Sequence, residues 1–189
     1  MEQIRKYFQQ SIELPEEDWA FFSSKLVRQE LPKKHLLLKV GQVENYLYYV
    51  EKGILRFYIP KEESDLTFDF AFENNFTSGY SSFLTKTPSP FQIETLTAHT
   101  VLWRVSYDDL QSIYQNTTVG NKIGRMASEE LFLRKTKREL SLLNETAEQR
   151  YLNLFSQQPE LIKHIPLKHI ASFIGITPQA LSRIRRRIS

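Results

Sequence analysis

The stretch Ile165–Ser189 constrains the fold most, because it contains two short helical patterns separated by a single glycine. In the first pattern, apolar residues recur at helical spacing: Leu167, Ile170, Ala171 and Ile174. Gly175 can adopt the left-handed conformation that ends a helix, Thr177 is a good N-cap, and Pro178 suits a first helical turn. The stretch therefore predicts a helix-turn-helix.

The second helix of this pair has two contrasting faces. The apolar face, directed at the first helix, consists of Leu181, Ile184 and Ile188. The polar face consists of Gln179, Ser182, Arg183 and Arg186. Such a helix is typical of readers of the DNA major groove, where arginine pairs with guanine and glutamine with adenine. We expect Arg183 to be the principal base-reading residue, followed by Gln179, and Ser182 to touch a base or a phosphate.

The charge distribution supports DNA binding. The chain has 25 Lys and Arg residues and 22 Asp and Glu residues, yet its segment from Leu161 to Ser189 has six basic residues and no acidic one. Segregated positive charge is typical of a phosphate-binding module, although a terminal helical hairpin with a solvated basic face is the alternative. The remaining residues of the predicted DNA-binding set are Thr177, at the helix start, and three expected backbone contacts: Lys168, Arg185 and Arg187.

Upstream, the pattern changes to short segments rich in aromatic and β-branched residues. The predicted strands are His35–Lys39, Tyr46–Val50, Ile54–Ile59, Leu66–Phe72, Phe91–Leu96 and Val101–Val105. Their close spacing without long intervening helices predicts an antiparallel barrel or roll. A helix is predicted before the roll, where Trp19, Phe22, Leu26 and Val27 form an apolar stripe. A second helix is predicted after it, around Tyr107–Tyr114.

A long helix is predicted from about Val119 to Leu143. It contains a weak heptad seam: Ile123, Met126, Glu130, Leu133, Lys137 and Leu140. A helix that lies on its own domain is the alternative, but a homodimer is favoured because two reading helices double the base contacts. After it, Thr146–Gln149 has the form of a capping box and predicts a further helix that stops before Pro159.

Other classes of protein find little support in the sequence. The chain has no cysteine, which excludes disulfides and thiolate metal sites. It has no apolar run of the ~20 residues that span a bilayer and no secretory signal, so we expect a cytoplasmic protein without membrane contact. A cupin-like enzyme is the alternative, but the histidines (His35, His99, His164 and His169) form no His-x-His pair. We expect no enzyme activity, no metal and no cofactor.

The order of a β-roll, a long helix and a C-terminal helix-turn-helix resembles the Crp/Fnr family of bacterial transcription regulators. Three segments carry the resemblance: GQVENYLYYVEKGILRFYI (Gly41–Ile59), TAEQRYLNLFSQQPEL (Thr146–Leu161) and IASFIGITPQALSRI (Ile170–Ile184). The compact form of the last segment is similar to the Bacteroidetes branch. The resemblance implies an α+β fold with a cyclic-nucleotide-binding-like sensor roll at 1–117, a dimerisation helix at 118–144 and a helix-turn-helix DNA-binding domain at 145–189.

The chain departs from the family at the cyclic-nucleotide cassette, in which a glutamate after a glycine holds the ribose and an arginine holds the phosphate. Here Tyr80 follows Gly79, and no arginine occurs between Arg56 and Arg104. Lys86 is the nearby cation, and lysine lacks the bidentate fork of arginine. We therefore expect that cyclic AMP is not a tight ligand.

The same region predicts either a pocket for an effector other than a cyclic nucleotide or no pocket. Residues with small or hydroxyl-bearing side chains suit an uncharged effector: Gly79, Tyr80, Ser81, Ser82 and Thr85. The alternative is a roll that is only a packed scaffold. The resemblance implies palindromic double-stranded DNA, a second copy of the chain and RNA polymerase as partners, with an effector that acts through the long helix. A small-molecule or protein-docking roll without DNA binding is the alternative function.

Overall fold

The structure is a computed structural model that describes residues 1–157 and 159–188. The chain divides into two compact units, one made of Met1–Phe57 and Phe70–Glu130, the other of Tyr58–Asp69 and Leu131–Ser189. The eight strands are β1 (Val27–Pro32), β2 (Leu36–Leu38), β3 (Tyr46–Lys52), β4 (Leu55–Ile59), β5 (Leu66–Ala71), β6 (Phe76–Thr77), β7 (Gln92–Thr95) and β8 (His99–Ser106).

Helices precede and follow the strands, and one helix lies between β6 and β7. The first four are α1 (Glu2–Gln9), α2 (Glu16–Ser24), α3 (Tyr80–Thr85) and α4 (Tyr107–Asn116). The last five are α5 (Gly120–Asn144), α6 (Ala147–Gln157), α7 (Pro159–His164), α8 (Leu167–Ile174) and α9 (Pro178–Ile188). Among the described residues, no helix is long and apolar enough to cross a membrane.

The strands form two four-stranded sheets, in the orders β1-β8-β3-β6 and β2-β7-β4-β5. Strand β8 pairs antiparallel with β1 on one side and β3 on the other, and β2 pairs antiparallel with β7. Arg104 of β8 lies opposite Tyr48 of β3, so the two side chains share one face of their sheet. The predicted antiparallel roll is confirmed.

The apolar core of the first unit joins the N-terminal helices to the roll. Ile4 and Phe8 of α1 and Phe22 of α2 are buried in one cluster with Tyr49 of β3 and Ile113 of α4. Aromatic edge-to-face contacts add specificity to this cluster, with the Phe8 and Phe22 ring centroids 5.1 Å apart. The helices at both ends of the roll therefore cover one sheet.

A buried carboxylate supports the start of the long helix. Asp18 of α2 is 7% exposed. One of its oxygens, Oδ2, accepts hydrogen bonds from the Thr118 hydroxyl at 2.7 Å and from the Val119 amide at 3.0 Å. The first amides of a helix lack partners within it, so this carboxylate satisfies donors at the position where the helix dipole favours negative charge.

One local prediction is wrong, one short helix was not predicted, and two predictions are confirmed. The helical stripe was wrong at Leu26 and Val27, because α2 ends at Ser24 and Val27 begins β1, where six residues pair with β8. The short helix α7 was not predicted. The long helix is confirmed as Gly120–Asn144, and the Thr146–Gln149 capping box forms both of its reciprocal hydrogen bonds, at 2.8 and 3.2 Å.

Two glycines of the roll provide a matched test of backbone geometry. Gly41 and Gly53 have φ values of +83° and +103°, which favour glycine. A Cβ on Gly41 would meet no atom within 4 Å, whereas one on Gly53 would lie 2.5 Å from Thr97 Oγ1 and 2.9 Å from Thr100 Oγ1.

We predict that Gly41→Ala lowers the free energy of unfolding by about 1–2 kcal/mol, the cost of a left-handed non-glycine residue. Gly53→Ala should lower it further, because the added methyl group also collides with the two threonines. Urea unfolding of both variants measures the difference. Equal losses in the two variants would contradict the packing described around Gly53.

Candidate nucleic-acid interface and roll cavity

The turn between α8 and α9 has the geometry that its glycine predicts. Gly175 lies in the left-handed region with φ of 81°. The Ile176 amide donates to the carbonyl of Ala171 at 3.0 Å and the Gly175 amide to that of Ser172 at 3.1 Å, which together close a Schellman-type helix end. The prediction for Gly175 is confirmed.

The start of α9 is fixed by a side-chain cap and by burial. The Ala180 amide donates to Thr177 Oγ1 at 3.2 Å, which satisfies one of the unpaired donors of the helix. Leu181 is 1% exposed and lies on the side of α9 that packs against α8. These contacts set which side of α9 remains open to a partner.

The polar residues predicted to read DNA lie on the exposed side of α9. The exposed set consists of Thr177, Gln179, Ser182, Arg183 and Arg186. The Ser182 hydroxyl donates back to the Pro178 carbonyl at 3.0 Å, so its oxygen retains acceptor capacity. The structure thus presents amide, hydroxyl and guanidinium groups together on one helix face.

All three residues expected to contact the DNA backbone, Lys168 of α8 and Arg185 and Arg187 of α9, have exposed side chains. The Arg187 guanidinium pairs with the carboxylate of Glu148 on α6. A role for Arg187 in phosphate binding would require exchange of this ion pair.

Two arginines bind the C-terminal end of α8, where helix carbonyls lack internal partners. Arg150 of α6 donates from Nε to the Ile174 carbonyl at 2.9 Å. Arg138 of α5 donates to the Phe173 carbonyl, and its Cζ lies 3.9 Å from the centroid of the Phe173 ring. Burial lowers the pKa of Arg138. Helix α8 is therefore anchored to both α5 and α6.

The tip of the β4–β5 hairpin, residues 58–69, contacts α8 through one serine. The Ser172 hydroxyl donates to the Asp65 carbonyl at 2.7 Å and accepts a hydrogen bond from the Thr67 amide at 2.8 Å. The Lys135 ammonium of α5 lies 2.8 Å from the carboxylate of Asp69. The hairpin tip is therefore bonded to the helix that supports α9.

The predicted dimer residues of α5 differ in their surroundings. Ile123 and Met126 are half-buried and pack against the core of the first unit. Glu130 accepts a hydrogen bond from the Tyr7 hydroxyl at 3.1 Å. Lys137 is exposed, and Leu133 and Leu140 are 66% and 51% exposed.

The predicted effector residues, Gly79 to Thr85, lie at the start of and within α3, and most of their hydroxyls are engaged. Ser82 is buried, donates to the Thr87 carbonyl at 2.5 Å and accepts from the Glu44 amide at 3.0 Å. Thr85 donates to the Ser81 carbonyl at 2.8 Å. The Tyr80 hydroxyl lies 3.5 Å from that of Ser128 on α5. These contacts stabilise the helix, and a pocket there stays a prediction.

Two basic residues of the roll, Lys86 and Arg56, form contacts within the protein. Lys86, in the left-handed region, lies with Nζ 4.0 Å from the centroid of the Tyr107 ring. Arg56 is 3% exposed and pairs with Glu94 at 2.8 Å. Among residues 1–157 and 159–188, no group of three or more His, Asp or Glu side chains is arranged to hold a metal ion.

A cavity of about 430 Å³ lies elsewhere in the roll. Its polar lining includes Gln29, His35, Glu44, Tyr46, Tyr48 and Arg104. This cavity could not be predicted from the sequence, because Glu44 lies in a loop and Arg104 interrupts an apolar strand without any recognisable motif. The signal available was a charged residue inside a strand that is apolar on both faces.

Glu44 has an unusual environment for a carboxylate, since only 2% of the residue is exposed. Its Oε1 accepts three hydrogen bonds, from the amides of Asn45 and Tyr46 at 2.9 and 3.0 Å and from the Tyr48 hydroxyl at 3.1 Å. Oε2 is buried and has no hydrogen-bond partner. Burial raises the pKa of Glu44, and the donors around it, including the nearby Gly79 amide, oppose this shift.

We predict that Glu44→Gln becomes progressively more favourable to stability, relative to the wild type, as the pH rises. A carboxyl whose pKa is raised by folding stabilises the fold while protonated, and this contribution is lost as the pH rises through the folded-state pKa above the ordinary 4.5. Urea unfolding between about pH 4 and pH 7 measures the effect. Glu62→Gln, at an exposed glutamate, is the control, and parallel curves for wild type and Glu44→Gln would contradict the burial of a charge.

Comparison with known proteins identifies the roll and the fold. Residues 28–117 match the cyclic nucleotide-binding domain family. None of the curated proteins matches the sequence. Among solved structures, the chain is similar to the c-di-GMP responsive global regulator CLP of Xanthomonas campestris, with 18% identity and a TM-score of 0.69 over 92% of this chain and 91% of that one.

Two further regulators have the same architecture. FixK2 of Bradyrhizobium japonicum matches with 13% identity and a TM-score of 0.71, over 86% of this chain and 84% of that one. A transcriptional regulator of the Crp/Fnr family from Eubacterium rectale matches with 16% identity and a TM-score of 0.69, over 93% and 83%. Residues 28–117 are therefore similar to a cyclic nucleotide-binding domain, and the chain has the fold of the Crp/Fnr transcription regulators.

Proposed function

We propose that the protein is a sequence-specific DNA-binding transcription regulator that acts as a homodimer. The observation that carries the proposal is the exposed face of α9, where Gln179, Ser182, Arg183 and Arg186 lie together. A helix held by buried contacts on one side and offering these groups on the other fits the major groove. The regulators with the same fold support the same role.

Electrostatics support this orientation toward DNA. The segment from Leu161 to Ser189 has six Lys and Arg residues and no acidic residue, although the chain as a whole carries a formal charge of only +3. Phosphate contacts release counterions, so the affinity of the proposed complex falls steeply with salt. Lys168 of α8 and Arg185 of α9 are exposed and suit such contacts.

An apolar stripe on α5 supports dimerisation. Phe132, Leu133, Leu140 and Leu143 are between 51% and 74% exposed. At the helical period they fall within an arc of roughly 100°, the width of a helix face that packs against a partner. A second copy of the same helix would cover this stripe and would place two copies of α9 in successive major grooves, about 34 Å apart.

The proposed regulator does not depend on cyclic AMP. Tyr80 follows Gly79 where cyclic-AMP-binding relatives have a glutamate, and its hydroxyl lies 3.5 Å from Ser128. Lys86, the cation nearest in sequence, is stacked on Tyr107. A buried phosphodiester would lack a compensating guanidinium at this position.

We predict that Arg183→Ala weakens binding to the preferred duplex by about 1–3 kcal/mol and relaxes specificity at one base pair, because a bidentate base contact is lost. The preferred duplex is first obtained by selection from random sequences with the wild-type protein. Affinities for that duplex and for a scrambled duplex are then measured by fluorescence anisotropy.

Lys168→Ala is the matched control for this experiment, because it removes an exposed positive charge of α8 rather than of the reading face. It should weaken both duplexes alike and reduce the salt dependence. Equal losses of affinity for both duplexes after Arg183→Ala would show that Arg183 does not read a base. Failure of the wild type to bind any duplex would favour the alternative of a roll module without DNA binding.

We predict that Leu133→Glu converts the dimer to a monomer of 22.3 kDa, since it places a charge within the apolar stripe. Leu142→Glu is the control, because Leu142 is also exposed but lies on α5 outside the stripe. Sedimentation velocity gives the masses. A wild-type monomer, or a Leu133→Glu dimer, would contradict the assigned interface.

A further inference from the structure

The cavity in the roll contains two incompletely bonded groups of opposite charge. Glu44 and Arg104 both line it. Glu44 Oε2 and Arg104 Nε are buried and neither has a hydrogen-bond partner, so these two atoms do not bond to each other. Buried polar atoms without partners cost free energy and are rare in folded proteins, and a bound ligand is one way to complete them.

Hydrogen bonds to neighbouring residues hold Glu44 in a defined conformation. Its backbone amide donates to Ser82 Oγ at 3.0 Å, and Oε1 is held by three donors. With one oxygen saturated in this way, the remaining acceptor capacity belongs to Oε2. A fixed carboxylate oxygen of this kind suits a ligand that brings a positively charged donor.

Arg104 is held in an equally defined way. Its Cζ lies 4.4 Å from the centroid of the Tyr46 ring, a cation–π contact that stabilises the guanidinium in this position. Guanidinium groups bind carboxylates bidentately. The cavity therefore contains a cationic and an anionic group, each fixed by an aromatic or hydrogen-bonding support.

We propose that this cavity binds a free α-amino acid, with the carboxylate at Arg104 and the ammonium group at Glu44. A ligand with only one of the two charges would leave the other protein group unsatisfied, whereas a zwitterion completes both. The predicted effector residues at Gly79–Thr85 do not line this cavity. The site is also independent of the proposed DNA binding.

The remaining lining indicates the type of side chain. It combines apolar side chains with uncharged polar ones, namely Leu37, Leu38, Val43, Gln29, Gln42 and Asn45. A volume of about 430 Å³ lies within the range of small-molecule sites and exceeds what the smallest amino acids fill. An amino acid with a large uncharged side chain therefore fits better than glycine or alanine.

The first test uses the wild-type protein and needs no variant. Its melting temperature is measured with each standard L-amino acid in turn, and hits are titrated by calorimetry. We expect at least one amino acid with a large uncharged side chain to bind. Its 2-oxo acid, which lacks the ammonium group, and the corresponding amine, which lacks the carboxylate, should each bind at least about tenfold more weakly. No binding by any amino acid, or equal binding of either analogue, would overturn the proposal.

Variants locate the bound amino acid. Glu44→Gln and Arg104→Gln should each weaken binding about tenfold or more, while circular dichroism establishes that the variants are folded. Lys33→Gln, which removes an exposed charge outside the cavity, should leave the affinity unchanged. Unchanged binding in folded Glu44→Gln and Arg104→Gln would place the ligand elsewhere and overturn the assignment. If both variants fail to fold, the comparison of amino acid with analogues decides.

Discussion

The module that carries α9 depends on how the carbonyls at the end of α8 are satisfied. A sharp turn at Gly175 leaves the carbonyls of Phe173 and Ile174 without helical donors, and Arg138 and Arg150 supply them. These arginines come from α5 and α6, so the end of α8 is tied to two other helices. Because α9 packs against α8, the direction of its exposed face follows from these bonds. The contact of Ser172 with the hairpin tip fixes α8 further.

Buried polar groups need partners in the roll as well, but there some of them lack one. Asp18 and Arg56 are buried charges with partners, at the start of α5 and at Glu94. Glu44 Oε2 and Arg104 Nε are buried atoms without a hydrogen-bond partner, and both residues line one cavity. Uncompensated buried charge opposes folding, so it persists where another requirement outweighs the loss of stability. The roll therefore contains buried charged groups that are fully paired and others that retain an unbonded atom.

Much of the fold could be predicted because local signals agreed with it. The helix-turn-helix followed from Gly175, the Thr177 cap and the apolar spacing, and the capping box at Thr146 formed as its sequence indicates. Strand β1 was missed because Val27 continues a helical stripe, whereas pairing with β8 decides its conformation. The two charged residues of the cavity could not be found, because the loop of Glu44 and the strand of Arg104 meet only in the fold. Arg187 was expected at DNA, and its contact with Glu148 is equally invisible in the sequence.

The central claim is that two α9 helices of a homodimer read DNA through their exposed faces. The most direct measurement is recovery and sequencing of genomic fragments bound by the purified protein at physiological salt. The account predicts an enriched motif with two-fold symmetry, whose half-sites are about one helical turn of DNA apart. Recovery of fragments without any common motif would contradict sequence-specific reading, and an enriched motif without two-fold symmetry would contradict the dimeric arrangement.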